Sequence, residues 1–304
     1  QCFCAVGVIT NLLSIAVFLR QGVRDTVNIS LLGLSISDLF SLITVAWLNI
    51  SQTPLFASQK LPFIPLEVAY LTGGWPHVFF TRITTWITVY ITLEKCCCIV
   101  APMKVKAVFT PRRTVIYNIL VYVVILASIA PIYYTARLSE KFVPERNETL
   151  LGIIFISGRD DIEAVSFHIN NILPLTGFAV IIIGTAILAS RLKQISKWRL
   201  TAASNARSDE MQNRDTKIVK MVVFISANFI VCYLPGTVVF IWMMLDPGLR
   251  IDGRHSDLFQ AAFATLFLLE ALNASVNIFV YVGMSSKFRK TLVSMTCFQN
   301  NGAN

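Results

Sequence analysis

Seven long, almost uncharged segments constrain this chain more than any other feature of its sequence. A helix needs about 20 apolar residues to cross the hydrocarbon core of a bilayer, and each segment approaches or exceeds that length. Membrane-spanning strands are only about 10 residues long and alternate in polarity, which these segments do not. The sequence therefore predicts an all-α membrane protein, a seven-transmembrane helix bundle that forms a single domain over 1–304. The predicted spans are 1–19, 26–50, 68–98, 114–136, 164–190, 217–245 and 258–282, followed by a short amphipathic eighth helix over 286–297.

The composition argues against a soluble protein. Hydrophobic residues make up 55% of the chain and charged residues 14%, whereas soluble domains carry about 25% charged residues. The net charge is +9, but the basic residues lie between the apolar segments, so nucleic acid is not an expected partner. The sequence lacks a nucleophile elbow, a paired-histidine zinc motif and a phosphate-binding glycine loop. We therefore expect no enzymatic activity and no bound metal.

The distribution of charge predicts the orientation. The odd-numbered loops and the tail are strongly basic, while the even-numbered loops are slightly acidic. Because Lys and Arg are retained on the cytoplasmic side, the N-terminus is predicted outside the plasma membrane and the C-terminus in the cytoplasm. The basic inner loops also suit anionic membrane lipid.

Two modification sites follow from this orientation. The sequon that begins at Asn147 falls in an outward loop, where glycosylation is expected, with an unused acceptor as the alternative. Cys297 follows a basic amphipathic stretch beyond the last span, so palmitoylation is expected there, with an inert thiol as the alternative.

Polar side chains inside the predicted spans are the first functional candidates, because ionisable groups are costly in lipid. Asp38 lies midway along the second span, and Glu270, Asn273 and Asn277 share one face of the seventh because they are three and four residues apart. These residues predict a hydrated channel within the bundle. The alternative is a set of ordinary interhelical hydrogen bonds, each worth about 1 kcal/mol. The remaining members of the set are Asn11 in the first span and Thr84 in the third.

A series of short motifs follows the spans in order. They are Asn11-Leu12-Leu13, Leu34-Ser35-Ile36-Ser37-Asp38, Glu94-Lys95-Cys96, Pro174, Phe229-Ile230-Val231-Cys232-Tyr233-Leu234-Pro235 and Asn277-Ile278-Phe279-Val280-Tyr281. In this order and spacing the chain resembles the rhodopsin-like (class A) G-protein-coupled receptors, and the resemblance runs through nearly its whole length.

Several residues depart from that family's pattern. Lys95 and Cys96 stand where the third helix normally has Arg-Tyr, and Ile278 replaces the usual Pro of the seventh helix. Tyr70 occupies the place of the Cys that normally ties the third helix to the second outward loop. The chain therefore resembles a divergent member, similar to the invertebrate peptide and chemosensory receptors.

The resemblance implies a two-state receptor that binds an extracellular peptide or small chemosensory molecule and activates a heterotrimeric G protein through its inner loops. It also implies a Na⁺ ion as an allosteric ligand, and no other cofactor. The residues that match the family's sodium and water site are Asp38, Thr84, Asn273, Asn277 and Asn11.

The activation switch is assigned by the same resemblance. Its residues are Glu94, Lys95, Asp215, Phe229, Pro235 and Tyr281. Asp215 stands 20 residues before Pro235, where many family members place an acid, so a resting-state pair between Lys95 and Asp215 is predicted, in competition with Glu94. Two solvated surface charges are the alternative.

The candidate ligand pocket contains His77, Arg82, Tyr233 and Glu270. Amine receptors of the family carry Asp at the place of His77, so a biogenic amine is not expected. The seventh span contains no Lys, so retinal is not expected either. Arg82 and Glu270 lie at equal depth, which permits an ion pair, separate contacts with a zwitterionic ligand, or an Arg82 that faces a neighbouring helix.

A second function class stays open from sequence alone. A seven-helix transporter or ion relay would use Asp38 and Glu270 to carry protons or ions. The spans lack repeat symmetry and paired Gly/Pro breaks, and the motif series favours the receptor.

Overall fold

The computed structural model describes residues 1–144, 146–201, 206–246, 248–249 and 253–297, without the side chains of 102, 104, 106, 160, 196–201, 206–215 and 296–297. Two strands and eleven α-helices are found in this part of the chain. They are α1 (Cys2–Gln21), α2 (Thr26–Ser51), α3 (Pro54–Ala57), α4 (Pro65–Ala69), α5 (Trp75–Val100), α6 (Pro102–Val108), α7 (Pro111–Thr135), β1 (Ala136–Val143), β2 (Glu148–Phe155), α8 (Arg159–Thr201), α9 (Ala206–Leu245), α10 (Ser256–Met284) and α11 (Ser286–Cys297).

Seven of the described helices are long and apolar enough to cross a membrane, namely α1, α2, α5, α7, α8, α9 and α10. This confirms the seven-helix bundle predicted from the sequence. Short α4 joins α5 through one π-helical turn at Tyr70–Gly74, so the third span begins at Pro65. At the inner side, α8 and α9 extend well beyond the apolar segments from which they were predicted.

Local chemistry explains where several helices begin. Asp25 caps α2 by accepting a hydrogen bond from the backbone N–H of Val27, and Thr110 caps α7 through the N–H of Arg113. Proline at the first turn of α4, α6 and α7 has no N–H to leave unsatisfied there.

The main apolar core lies between the helices in the half of the bundle that carries α11. Its largest fully buried members include Leu34 of α2, Ile87 of α5, Leu188 of α8 and Tyr281 of α10. Phe288 of α11 is also fully buried and packs against Phe18 and Tyr281 at ring-centroid distances of 5.2 and 5.4 Å. The eighth helix is therefore fastened to the bundle by an aromatic side chain.

A β-hairpin, not predicted from the sequence, follows the fourth span. Strands β1 and β2 pair antiparallel from Ala136–Phe155 to Val143–Glu148, and Asn147 lies exposed in the turn between them with a positive φ of 51°. The signal was weak because the strands are short and only half-buried, so neither resembles a membrane span.

The loop after α9 is organised by an acidic side chain. Asp246 accepts a hydrogen bond from the backbone N–H of Gly248 at 2.9 Å and an ion pair from Arg254 at 3.2 Å. The Gly248 N–H, and then Arg254, lower the pKa of Asp246 below its usual value. This loop therefore keeps its acidic anchor charged down to low pH.

Candidate functional site

A buried carboxylate joins three helices in the middle of the bundle. Asp38 of α2 is 2% exposed. One of its oxygens accepts a hydrogen bond from the Thr84 hydroxyl of α5, and the other accepts one from the Asn277 amide of α10, both at 2.8 Å. The Ser37 hydroxyl adds a contact with Thr84 at 2.9 Å. Donors from two neighbouring helices therefore surround this carboxylate, which is a condition for keeping a buried polar group stable.

Two residues of the predicted sodium and water site do not hydrogen-bond Asp38 directly. The Asn11 amide donates to the backbone carbonyl of Ala274 at 2.8 Å, which ties α1 to α10. The Asn273 side chain instead accepts a hydrogen bond from Asn228 of α9 at 2.9 Å. Asn228 was missed by the sequence analysis, although an amide inside an apolar span was a usable signal.

The outer half of the bundle contains a second polar group, centred on His77 of α5. Its Nε2 lies 2.7 Å from the Glu270 carboxylate of α10, and its Nδ1 lies 3.1 Å from the Ser41 hydroxyl of α2. The Phe267 ring meets the imidazole edge to face at 5.0 Å. His77 therefore bridges three helices and is almost fully buried.

Arg82 of α5 lies one to two turns deeper and has no such partner. It is 4% exposed, and among the described residues it forms no hydrogen bond or ion pair. Its guanidinium carbon lies 5.0 Å from the centre of the Phe240 ring of α9, a cation–π arrangement. Of the three arrangements left open by the sequence, the direct Arg82–Glu270 ion pair is not formed, because the Glu270 carboxylate is taken by His77.

A narrow cavity of about 10 Å³ lies beside Arg82. Its walls come from α5, α8, α9 and α10, and a second cavity of about 20 Å³ shares Arg82, Phe240 and Glu270 with it. Tyr233 and Phe229 form the lower wall as stacked rings, with centroids 4.1 Å apart and planes at 13°. All four predicted pocket residues thus lie on one or both of these neighbouring cavities.

The inner end of α5 holds a buried ion pair. Lys95 Nζ lies 2.9 Å from the Glu94 carboxylate, which also accepts a hydrogen bond from the Thr26 hydroxyl of α2 at 2.7 Å. The predicted partner Asp215 has its side chain outside the described residues, so the Lys95–Asp215 pair stays a prediction. In the described part, Lys95 is neutralised by its immediate neighbour in the chain.

Other predicted switch residues are placed on the helices as follows. Pro235 lies inside α9, where it cannot donate to the preceding turn. Tyr281 of α10 packs between Phe18 and Phe288 and so links α1, α10 and α11. Cys297 is the last residue of α11, and its side chain lies outside the described part of the chain.

The hairpin above the pocket is attached without a disulfide among the described residues. Glu67 of α4 accepts hydrogen bonds from Lys141 of β1 and from the backbone N–H of Ile153 of β2, each at 2.6 Å. Tyr70, which replaces the family's cysteine, packs with Trp75 beside this contact. Glu67 was not predicted as a functional residue, because its role depends on the hairpin, which was not predicted either.

Comparison with known proteins agrees with this architecture. The model of the 7 transmembrane receptor (rhodopsin family) matches residues 10–281. The chain is 22% identical to the galanin-like G-protein coupled receptor npr-9 of Caenorhabditis elegans, covering 95% of this chain and 70% of the relative. It is 24% identical to the rhodopsin of Batrachocottus nikolskii, covering 95% and 93%. It is 21% identical to the human N-arachidonyl glycine receptor, covering 99% and 83%.

Proposed function

Because the chain belongs to the rhodopsin family of seven-transmembrane receptors, we propose that it acts at the plasma membrane with its N-terminal end outside and its C-terminal end in the cytoplasm. It is a multi-pass membrane protein and a G-protein-coupled receptor that binds an extracellular ligand. Its family consists of receptors rather than enzymes, and membership favours the receptor over the ion relay considered from the sequence.

The cavity beside Arg82 is the observation that carries the ligand site. It is enclosed by four helices, lined mainly by aromatic and apolar side chains, and contains a few convergent polar groups, as small-molecule sites generally are. A ligand there would contact α9 directly at Tyr233 and Phe240. Pro235 lies between these two residues. A ligand would therefore contact α9 on both sides of the position where proline removes a backbone hydrogen bond and allows the helix to bend.

The ligand chemistry suggested by the relatives is diverse. Their names refer to galanin, to rhodopsin and to N-arachidonyl glycine. Retinal attachment through a lysine is not open to this chain, since Ser256–Met284 contains no Lys. We therefore propose a diffusible ligand, a peptide or a small chemosensory molecule.

A heterotrimeric G protein is the proposed inner partner, and Lys95 is the residue proposed to contact it. The test is guanine-nucleotide exchange on a panel of G proteins in membranes that carry the chain, challenged with fractionated peptides and small environmental molecules. We expect exchange that depends on one fraction, is lost in Lys95→Ala and is retained in Lys95→Arg, which restores the family residue. A folded, surface-expressed chain that never stimulates exchange would contradict this function.

Sodium binding at Asp38 is a second proposal. The carboxylate is buried among hydroxyl and amide groups of three helices, and oxygen ligands of this kind suit hard cations. We expect the unfolding midpoint of the receptor to be higher in sodium chloride than in choline chloride of equal ionic strength. The difference should vanish in Asp38→Asn and persist in Asp246→Asn, which removes an acid of the loop after α9 instead.

Equal midpoints in the two salts for the wild-type receptor would count against a sodium site. So would an Asp38→Asn variant that keeps the full difference. The first result would leave Asp38 as a structural hydrogen-bond centre for α2, α5 and α10.

A further inference from the structure

Arg82 is a buried cation without a direct ion pair in the described structure, and Glu270 acts on its charge only from a distance. Only 4% of the residue is exposed, and no hydrogen bond or ion pair to a described residue is formed. The guanidinium carbon lies 5.0 Å from the centre of the Phe240 ring. A ring face attracts a cation but does not supply the hydrogen-bond acceptors that a guanidinium needs.

The acid that would neutralise Arg82 is already engaged. Glu270 lines the same cavity, but its carboxylate lies 2.7 Å from His77 Nε2. His77 is in turn held by Ser41 from the other side, so this pair is fixed by contacts on both partners. Arg82 therefore lines the cavity without taking part in the His77–Glu270 pair.

The walls around Arg82 have the complementary polarity for an amphipathic anion. In the unliganded structure they enclose only about 10 Å³, about the room for one water, so a ligand enters by moving these side chains apart. Apart from Arg82 and Glu270, the walls are mostly apolar or aromatic, including Phe178, Phe229 and Phe240. A planar guanidinium matches a carboxylate through two parallel hydrogen bonds.

We propose that Arg82 binds the carboxylate of a small organic acid whose apolar or aromatic body lies against Phe178, Phe229 and Phe240. The inference rests on the ligand site of the proposed function and specifies its chemistry. The inference also assigns a role to the His77–Glu270 pair. By holding the Glu270 carboxylate, His77 leaves the guanidinium of Arg82 free to bind the carboxylate of the ligand.

The first test needs no ligand. An uncompensated buried charge destabilises a protein, and replacing it by an apolar side chain of similar length removes that cost. The unfolding midpoint of the purified, unliganded receptor is therefore expected to stay equal or to rise in Arg82→Met. Arg137→Met is the matched control, since Arg137 also lies over an aromatic ring but is exposed on β1, and it should leave the midpoint unchanged.

The second test measures binding by the ligand-induced rise of the same midpoint. The probes are octanoate, 3-phenylpropionate and indole-3-acetate, each beside its own methyl ester. We expect at least one acid to stabilise the wild type and the Arg137→Met control, and its ester to fail. Affinity should fall roughly ten- to hundredfold in Arg82→Met, the usual loss for a hydrogen bond to a charged group, and less in Arg82→Lys, which keeps the charge.

Three results would overturn the inference. They are a midpoint of Arg82→Met several degrees below that of the wild type, no stabilisation by any of the three acids, and equal stabilisation by an acid and its ester. Nucleotide exchange, measured in parallel, separates this proposal from the receptor function. An acid that binds through Arg82 without stimulating exchange contradicts the signalling function alone, whereas a ligand that stimulates exchange equally in wild type and Arg82→Met contradicts the carboxylate anchor alone.

Discussion

Two histidines of this chain face acidic side chains in opposite environments. His77 lies 2.7 Å from Glu270 within the bundle, where its side chain is 2% exposed. His255 lies 3.7 Å from Asp246 outside the bundle, where its side chain is 42% exposed. Water competes for the second contact but not for the first, so the same pair of residue types should differ in energetic weight.

We therefore expect His77→Ala to lower the free energy of unfolding by about 1–3 kcal/mol, because it leaves the buried Ser41 hydroxyl and the 13% exposed Glu270 carboxylate without this partner. His255→Ala should change it by less than about 1 kcal/mol. Denaturant or thermal unfolding of the two variants in the same detergent measures both values. Equal losses of unfolding free energy in the two variants would show that burial does not strengthen the His77–Glu270 contact.

At the scale of elements, α1 lies close to both α2 and α10 at Gly7. A Cβ built on Gly7 would collide with the Ser275 hydroxyl of α10 and lie 2.7 Å from Cδ1 of Leu42. The same turn carries Asn11, whose amide donates to the Gly7 carbonyl and to Ala274 of α10. Close packing at Gly7 thus makes the interhelical hydrogen bond possible.

Gly7→Ala is accordingly expected to destabilise the receptor by about 1–3 kcal/mol through overpacking. Gly283→Ala is the matched control in α10, since no atom lies within 4 Å of the position its Cβ would take. That change should stabilise by up to about 1 kcal/mol, the propensity difference in a helix. Thermal unfolding of both variants measures these changes. A Gly7→Ala receptor with the stability of the wild type would contradict the close approach of the helices at Gly7.

The outward hairpin is attached to α4 by one side chain. Glu67 accepts from Lys141 and from the Ile153 backbone N–H, and Ile64 adds a backbone hydrogen bond to Leu151. These contacts occupy the region where the family usually has a disulfide. The attachment is electrostatic and reversible, so it should respond to a single substitution.

In Glu67→Ala the Ile153 amide loses its acceptor, and its hydrogen–deuterium exchange should be faster by roughly tenfold or more. Glu140→Ala, which removes an exposed carboxylate from β1 of the same hairpin, should leave that exchange rate unchanged. Mass spectrometry of peptides covering 136–155 measures the effect. Unchanged exchange in Glu67→Ala would show that the backbone pairing alone holds the hairpin.

At the scale of the whole molecule, three polar layers cross the bundle. His77–Glu270 lies in the outer half, Asp38 with Thr84 and Asn277 in the middle, and Glu94 with Lys95 at the inner end. Helix α10 contributes to the His77–Glu270 layer and to the Asp38 layer. Helix α5 contributes to all three layers. It therefore connects the three layers through its own side chains, so a movement of α5 would act on all of them.

Release of the inner layer is expected to activate the receptor. Glu94→Gln removes the negative charge that holds Lys95 and weakens the bond from Thr26, so basal nucleotide exchange should rise severalfold. Thr26→Val keeps the Glu94–Lys95 pair and should raise basal nucleotide exchange less than Glu94→Gln does. Exchange is measured at matched surface expression, and a Glu94→Gln receptor with wild-type basal activity would argue that this pair does not restrain the resting state.

How much was predictable depends on whether a feature is local in sequence. The seven spans and the amphipathic helix follow from runs of apolar residues and their spacing, because each helix satisfies its own backbone and needs no partner to be recognised. The hairpin was missed because its pairing joins Ala136 to Phe155, and the role of Glu67 depends on that pairing. The long inner extensions of α8 and α9 are polar, so no hydropathy argument could delimit them.

The sequence by itself determined a bundle of seven membrane-spanning helices, favoured a receptor over an ion relay, and identified Asp38, His77, Arg82 and Glu270 as polar residues inside the bundle. Only the tertiary structure decided their partners. Equal depth on two helices left Arg82 and Glu270 free to pair, but the rotation of the helices places His77 against Glu270 and Arg82 against Phe240. The depth of a residue along its helix follows from its position in the sequence. The side chain that it faces depends on how three helices pack together, and the sequence of any one helix does not determine that packing.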